Sequence, residues 1–151
     1  MAARFNHISI PSSDLDESVG FYVDVFGLRE IPAPLFGGLP VRWLQAGEQQ
    51  LHLFRSDDGA HREQHFAFDV DDFEAFYWKV RERGITDDET FDAHLRRHPA
   101  GWLQLYLRDP SGNLIEVNWP DADTLSAELL AESVDLDAIV PQEGAAATAT
   151  L

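Results

Sequence analysis

The chain has 151 residues, 44% of them hydrophobic, which is the size of one ordinary domain with room for a real core. It contains no cysteine, which excludes disulfides, thiolate catalysis and thiolate metal sites, so any metal must be held by His, Asp or Glu. Its 27 acidic and 11 basic residues leave a net charge of −16, a surface that repels nucleic acid and anionic membranes. No apolar run is long enough to cross a bilayer, and MAARFNHISI does not read as a secretion signal, so a cytoplasmic protein is expected.

The leading run His7-Ile8-Ser9-Ile10 alternates as a strand does, and the polar stretch Ser13–Glu17 opens a helix. Ser13 is the expected N-cap, with Asp16 and Glu17 near the positive end of the helix dipole. Val19, Tyr22, Val23 and Phe26 recur at three- and four-residue steps as a core-facing stripe, and Gly27 closes the helix. Strand-like runs follow near 29–35, 41–46 and 50–54. The polar stretch Ser56–Glu63, containing Gly59, marks a module boundary.

The pattern then begins again. His65 stands 58 residues after His7, Phe76 55 after Phe21, and Gly84 57 after Gly27, so the chain carries an internal repeat. In the second copy His65-Phe66-Ala67-Phe68 is the leading strand and Asp71 or Asp72 caps the helix. Phe73, Phe76, Tyr77 and Val80 form its stripe, and Gly84 stops it. Strands are expected near 88–95, 102–107 and 114–118, the last two joined by the turn Asp109-Pro110-Ser111-Gly112-Asn113. Residues 1–120 therefore read as a single domain of two modules, about 4–56 and 63–119. Residues 121–151 read as an added tail, with an amphipathic helix over Asp123–Ser133 through Leu125, Leu129 and Leu130, and a disordered end after Glu143.

Alternation within the strands carries the functional reading, because residues two apart share a face. Ile8 with Ile10, Leu51 with Leu53, Phe66 with Phe68 and Ile115 with Val117 must pack on the helices. His7, His52, His65 and Glu116 then occupy the opposite faces, His7 matching His65 by repeat and His52 matching Glu116. A single strand histidine is more often a hydrogen-bonded packing residue than a ligand. Four chemically suitable groups at repeat-matched positions point to a centre holding Zn, Ni, Mn or Fe(II). Glu116 is the most telling, since a carboxylate between Ile115 and Val117 is costly to bury unless paired or ligated. In the neighbouring strand Trp102, Gln104 and Tyr106 share parity. They are candidates to line a substrate pocket, with Tyr106 also a candidate catalytic group; ordinary packing is the competing reading. His61, His94 and His98 are expected at the surface, because His94 and His98 lack the glutamate of helical zinc motifs and Pro99 follows them.

Across residues 4–120 the sequence resembles the vicinal oxygen chelate, or glyoxalase/bleomycin-resistance/dioxygenase, superfamily. The resemblance is carried by His7-Ile-Ser-Ile-Pro, by Asp14-Leu with Phe21-Tyr-Val-Asp-Val-Phe-Gly-Leu28, and by Asp109-Pro-Ser-Gly-Asn-Leu-Ile-Glu116. It implies an α+β fold of two tandem βαβββ modules forming a cupped mixed sheet with helices outside, a divalent metal and a homodimer. By position it assigns His7, His65 and Glu116 as metal ligands, supplied by one chain or exchanged between two. His52 stands where glyoxalase-type isomerases place a glutamate that is ligand and base, which leaves His52 as a fourth ligand, an acid/base group beside the metal, or a bystander. The resemblance thus implies a metal-dependent enzyme acting on a small oxygenated molecule that chelates the metal, with a dioxygenase placed first. A glyoxalase-like isomerase or lyase, a thiol transferase and a non-catalytic protein that sequesters a drug or antibiotic are the alternatives.

Overall fold

The computed structural model describes residues 4–150. The fold is α+β and consists of two βαβββ modules. The first is built from β1 (His7–Ser12), α1 (Leu15–Phe26), β2 (Arg29–Ile31), β3 (Val41–Ala46) and β4 (Gln49–Arg55). The second is built from β5 (His65–Asp69), α2 (Phe73–Glu82), β6 (Leu95–Arg97), β7 (Leu103–Arg108) and β8 (Leu114–Trp119). Each module makes its own mixed sheet, in the orders β1-β4-β3-β2 and β5-β8-β7-β6, and a short β9 (Val134–Asp135) extends the second beyond β6. In both, the first strand lies parallel to the last, while β2, β3 and β4, like β6, β7 and β8, pair antiparallel in succession, and β9 lies parallel to β6. Two compact units result, one running through Gln64 and including Asp109–Asn113, the other comprising His65–Arg108 and the residues from Leu114 onward.

In the first unit the cap of α1 is Asp14, not the expected Ser13, and its carboxylate accepts from the N–H groups of Asp16 and Glu17. Ser13 instead donates its backbone N–H to Ser111 Oγ at 3.1 Å. Gly27 ends the helix with φ 68°, the left-handed conformation that glycine adopts without penalty. The stripe of α1 that packs against β3 and β4 is Ser18, Val19, Tyr22 and Val25, while Val23 is exposed. Ser18 can be buried because its hydroxyl pairs with Ser12 Oγ at 2.8 Å, which rotates the stripe away from the purely apolar pattern. In β1, Ile10 is buried as expected, but Ile8 remains 37% exposed.

The turn Asp109–Asn113 gives this unit a buried polar knot. Asp109 accepts from the N–H groups of Ser111 and Asn113 at 2.9 and 2.8 Å and from the Tyr22 hydroxyl at 2.8 Å. Asn113 Nδ2 donates to the same carboxylate at 2.8 Å and to the carbonyl of Pro11 at 2.9 Å. Burial, then the adjacent Asp109 charge and its hydrogen bond, push the Tyr22 phenol well above the ordinary tyrosine value, so it remains a donor.

In the second unit Asp72 caps α2, and Phe73, Phe76, Tyr77 and Val80 are buried as the periodicity predicts. The strand expected over 88–95 is reduced to β6, with residues 88–94 outside any strand. Side-chain acceptors hold this stretch in turns instead. Asp87 accepts from the N–H of Thr90 at 2.8 Å, Asp88 from that of His94 at 3.2 Å, and Asp92 has φ 65°. His94 and His98 are buried, contrary to the surface positions expected. The His94 ring bridges Asp88 at 2.5 Å and the Tyr77 hydroxyl at 3.2 Å, and His98 stacks on Trp102 at 4.2 Å. His61 is exposed.

After Pro120 the expected long helix is a 3-10 turn at Ala122–Thr124 and a five-residue helix α3 (Ala127–Ala131), followed by α4 (Leu136–Ile139). Far from being a mere appendage, this stretch buries Leu129 completely and adds β9 beside β6. Ser126 bonds Glu74, Arg81 pairs with Glu132 at 3.2 Å and Arg97 with Asp135 at 2.8 Å. The end expected to be disordered contains a 3-10 turn at Ala146–Thr148, and the carbonyl of Ala149 accepts from Trp102 Nε1 at 2.7 Å.

Two stability measurements test these assignments. Asp109→Ala strands the buried donors of Tyr22 and Asn113 and should lower unfolding free energy by about 2–4 kcal/mol. A loss under about 1 kcal/mol in urea titration would show that the knot is dispensable. Leu129→Ala should cost about 2–5 kcal/mol, as a filled core site does, whereas a tail that merely rests on the surface would cost almost nothing.

Candidate functional site

Pairing registers place the candidate ligands. His7 lies opposite Gln50 and Ser9 opposite His52 across the parallel β1–β4 pair. His65 lies opposite Leu114 and Ala67 opposite Glu116 across β5–β8. In each module the leading histidine is therefore diagonal, by two residues, to the group on the closing strand, and the two share a face. The repeat persists at the level of individual hydrogen-bonded rungs.

In the first unit His7 and His52 stack at 4.2 Å between ring centroids, with planes 16° apart. Trp43, directly opposite His52 on β3, covers its other side at 3.9 Å with parallel planes. His52 Nε2 meets Gln50 Oε1 at 2.9 Å, and His7 Nδ1 meets Asn6 Oδ1 at 3.0 Å. An apolar recess of about 200 Å³ adjoins the stack, lined by Ser9, Phe36, Leu39, Trp43, His52 and Phe54 among others. Burial, then the neighbouring His7 ring, lowers the His52 pKa, which favours a neutral imidazole able to accept a proton or ligate.

In the second unit His65 Nε2 lies 3.3 Å from Glu116 Oε2. Two donors about 2.1 Å from one ion are separated by about 3.0–3.4 Å in octahedral to tetrahedral geometry, so the pair has the spacing a metal would span. Tyr106 lies opposite Glu116 on β7 and is 4% exposed. Burial, then the charge of Glu116 and hydrogen bonding to it, raise the phenol far above its ordinary pKa, keeping the proton on Tyr106. The His65 ring meets Tyr106 edge-on at 6.1 Å and Phe91 at 6.0 Å. Gln104 lies one rung farther along the same face, opposite Asn118. Trp102 precedes β7 and is engaged with His98 and Ala149.

Thus His7 joins His52 in one unit, and His65 joins Glu116 and Tyr106 in the other. Among the described residues no three His, Asp or Glu side chains converge on a single point. Sequence reasoning missed Trp43 and Phe91. Trp43 carried a signal, its position opposite His52 in an antiparallel pair; Phe91 carried none, because its stretch was expected to be a strand.

The electrostatics of the histidine stack can be tested by nuclear magnetic resonance. His52 should titrate below the usual imidazole value of 6.5, and His7→Ala should raise its midpoint by removing the opposing charge. Because folding lowers this pKa, the unfolded chain takes the proton first as pH falls. The contribution to stability is complete above 6.5 and is lost as pH falls through the lower folded value. A His52 midpoint at or above 6.5 would contradict the stacked arrangement.

Comparison with known proteins agrees with the architecture. The family model for the Glyoxalase/Bleomycin resistance protein/Dioxygenase superfamily matches residues 4–117. The metallothiol transferase FosB of Shouchella clausii is 29% identical over 125 residues, covering 78% of this chain and 81% of its own. A lactoylglutathione lyase from Agrobacterium tumefaciens is 28% identical and superposes with a TM-score of 0.59, over 78% of this chain and 93% of that one. The oxidase ChaP-H2 is 26% identical, with a TM-score of 0.61 over 81% and 99% of the two chains. The chain belongs to the glyoxalase/bleomycin resistance protein/dioxygenase superfamily.

Proposed function

We propose that this protein is a divalent-metal-dependent enzyme acting on a small oxygenated substrate, with His65, Glu116 and His7 as ligands, and that its reaction is a dioxygenation. The observation that carries this reading is the 3.3 Å separation of His65 Nε2 and Glu116 Oε2 on one sheet face. Two imidazoles and one carboxylate suit Fe(II) for oxygen chemistry, and equally Mn, Ni or Zn for other reactions. When bound, the ion supplies a Lewis-acidic centre with open positions that a substrate with two adjacent oxygens can chelate. Tyr106 orients the Glu116 carboxylate and retains its own proton for donation to a developing oxyanion. His52, held between His7 and Trp43, is the proposed proton acceptor, or a weak fourth ligand.

The imidazole at position 52 counts against an isomerase of the glyoxalase kind, since it lacks the negative charge of the glutamate used there. Thiol transfer is the second reading, favoured by the 29% identity to a metallothiol transferase. The proposed assembly is a homodimer, in which His7 joins the other two ligands from the same chain or from the second copy. Mixing His7→Ala and Glu116→Ala chains separates these arrangements. Exchanged ligands would regenerate one intact site per mixed dimer, whereas ligands from one chain would regenerate none.

Freshly purified protein, never exposed to chelators, should carry about one divalent metal per chain by elemental analysis. His65→Ala and Glu116→Ala should each lose it while retaining wild-type circular dichroism. Oxygen uptake on a panel of catechols, run beside a thiol-transfer assay, then assigns the reaction. Full metal occupancy in either variant would refute the ligand set, and thiol transfer without oxygen uptake would replace the dioxygenase by the second reading.

A further inference from the structure

On the face of the second sheet that carries Glu116 and Tyr106, the adjacent rung is a row of polar side chains. Arg96 on β6 pairs with Gln104 on β7, and Gln104 pairs with Asn118 on β8. Two atoms of this row, Arg96 Nε and Asn118 Oδ1, are buried without a hydrogen-bond partner. A buried donor and a buried acceptor left open in one row are unusual, because folded proteins satisfy nearly all such atoms. Arg96 is also held in place. Its guanidinium carbon lies 5.2 Å from the centre of the Phe91 ring and 5.9 Å from that of Tyr106. The next residue shows the contrast, since Arg97 is engaged with Asp135 at 2.8 Å. The row's acid is Asp69, opposite Asn118 on the far strand β5. It stands three strands from Arg96, about 14 Å at the usual strand spacing.

We propose that Arg96, with Gln104 and Asn118 beside it, is an anchoring subsite for a compact oxyanion, a carboxylate or a phosphoryl group, borne by the substrate. A planar guanidinium laid against the paired Phe91 and Tyr106 rings, whose centres are 4.8 Å apart, presents its N–H fork in the geometry such groups accept bidentately. Phe91 belongs to the strand-free stretch 88–94, so the covering ring can shift without breaking a sheet ladder. On a chain of net charge −16, a guanidinium held in place offers a small anion a local positive charge against the overall field. The open Asn118 oxygen requires a donor beside the anion, such as a hydroxyl. The substrate class is therefore a small hydroxylated or otherwise donor-bearing acid, its anionic end on Arg96 and its other oxygens toward Glu116. This inference rests on the reading of His65 and Glu116 as the reacting end.

The test is a titration of isotope-labelled full-length protein with inorganic phosphate and, separately, with acetate, at constant ionic strength held by chloride. The Arg96 Nε–H and the Asn118 side-chain amide are followed by nuclear magnetic resonance. At least one anion should shift both signals saturably, and the tighter of the two identifies the group. Arg96→Gln should weaken that binding about tenfold or more, Arg96→Lys less, and Asn118→Asp should weaken it by repulsion. The thermal midpoint of each variant establishes that it is folded. No saturable shift with either anion, or unchanged binding in folded Arg96→Gln, would overturn the assignment. Divalent-metal occupancy should be unaltered in Arg96→Gln. Wild-type protein that binds phosphate but no metal would sink the ligand set and leave the anion subsite standing.

Discussion

Parallel pairing between the first and last strand of each module is the constraint that places the candidate groups. A helix between the first two strands returns the chain to the far side of the sheet, and the two later hairpin steps bring the closing strand beside the opening one. Residues 43 positions apart in the first module and 49 in the second thereby become neighbours, and the register makes Ser9 face His52 and Ala67 face Glu116. Once one face of each sheet is given to the helices, strand alternation leaves the polar groups no other place than the opposite face. A slip of one residue in either parallel pair would turn its closing-strand group into the core.

The two faces meet different demands. The helix-side face is filled by Leu51, Leu53, Leu103, Leu105, Ile115 and Val117, each almost fully buried. The opposite face of the second sheet also buries Glu116 and Tyr106, at 6% and 4% exposure, so polar groups lie out of water where a hydrocarbon would be cheaper. Such an arrangement adds little stability by itself, since a buried carboxylate gives up its hydration. In the first unit the equivalent region is aromatic instead, with Trp43, His52 and His7 in one stack. The same repeat thus carries a charged half and a neutral half.

Much of this was legible in the sequence. The α2 stripe, the Gly27 cap and the strands around His52 and Glu116 could be read because their signals are periodic, or consist of one residue in one conformation. What escaped reading depended on side chains bonding to nearby backbone. Asp14 displaced Ser13 as the cap because its carboxylate reaches two N–H groups at once. Asp87 and Asp88 drew 88–94 into turns that a run containing Thr90 and Phe91 gives no hint of. Ser18 entered the core because Ser12, a partner six residues away, meets it there. His94 and His98 looked superficial because their burial depends on side-chain contacts that periodicity does not report: Tyr77, seventeen residues before His94, and the nearer Asp88 and Trp102.

The knot at Asp109–Asn113 bears on how the protein is made. Tyr22 and Pro11 find their partners 87 and 102 residues downstream. During synthesis the first βαβββ module must therefore leave the ribosome with the Tyr22 hydroxyl and one edge of β1 unmet, and wait while residues 65–108 are added. Closure over so long a span is entropically slow, and until then the Tyr22 hydroxyl and the Pro11 carbonyl lack these partners. Expression at low temperature or with chaperones in excess should matter more for this chain than its modest length suggests, and nascent chains arrested before Asn113 should be the ones that proteases find.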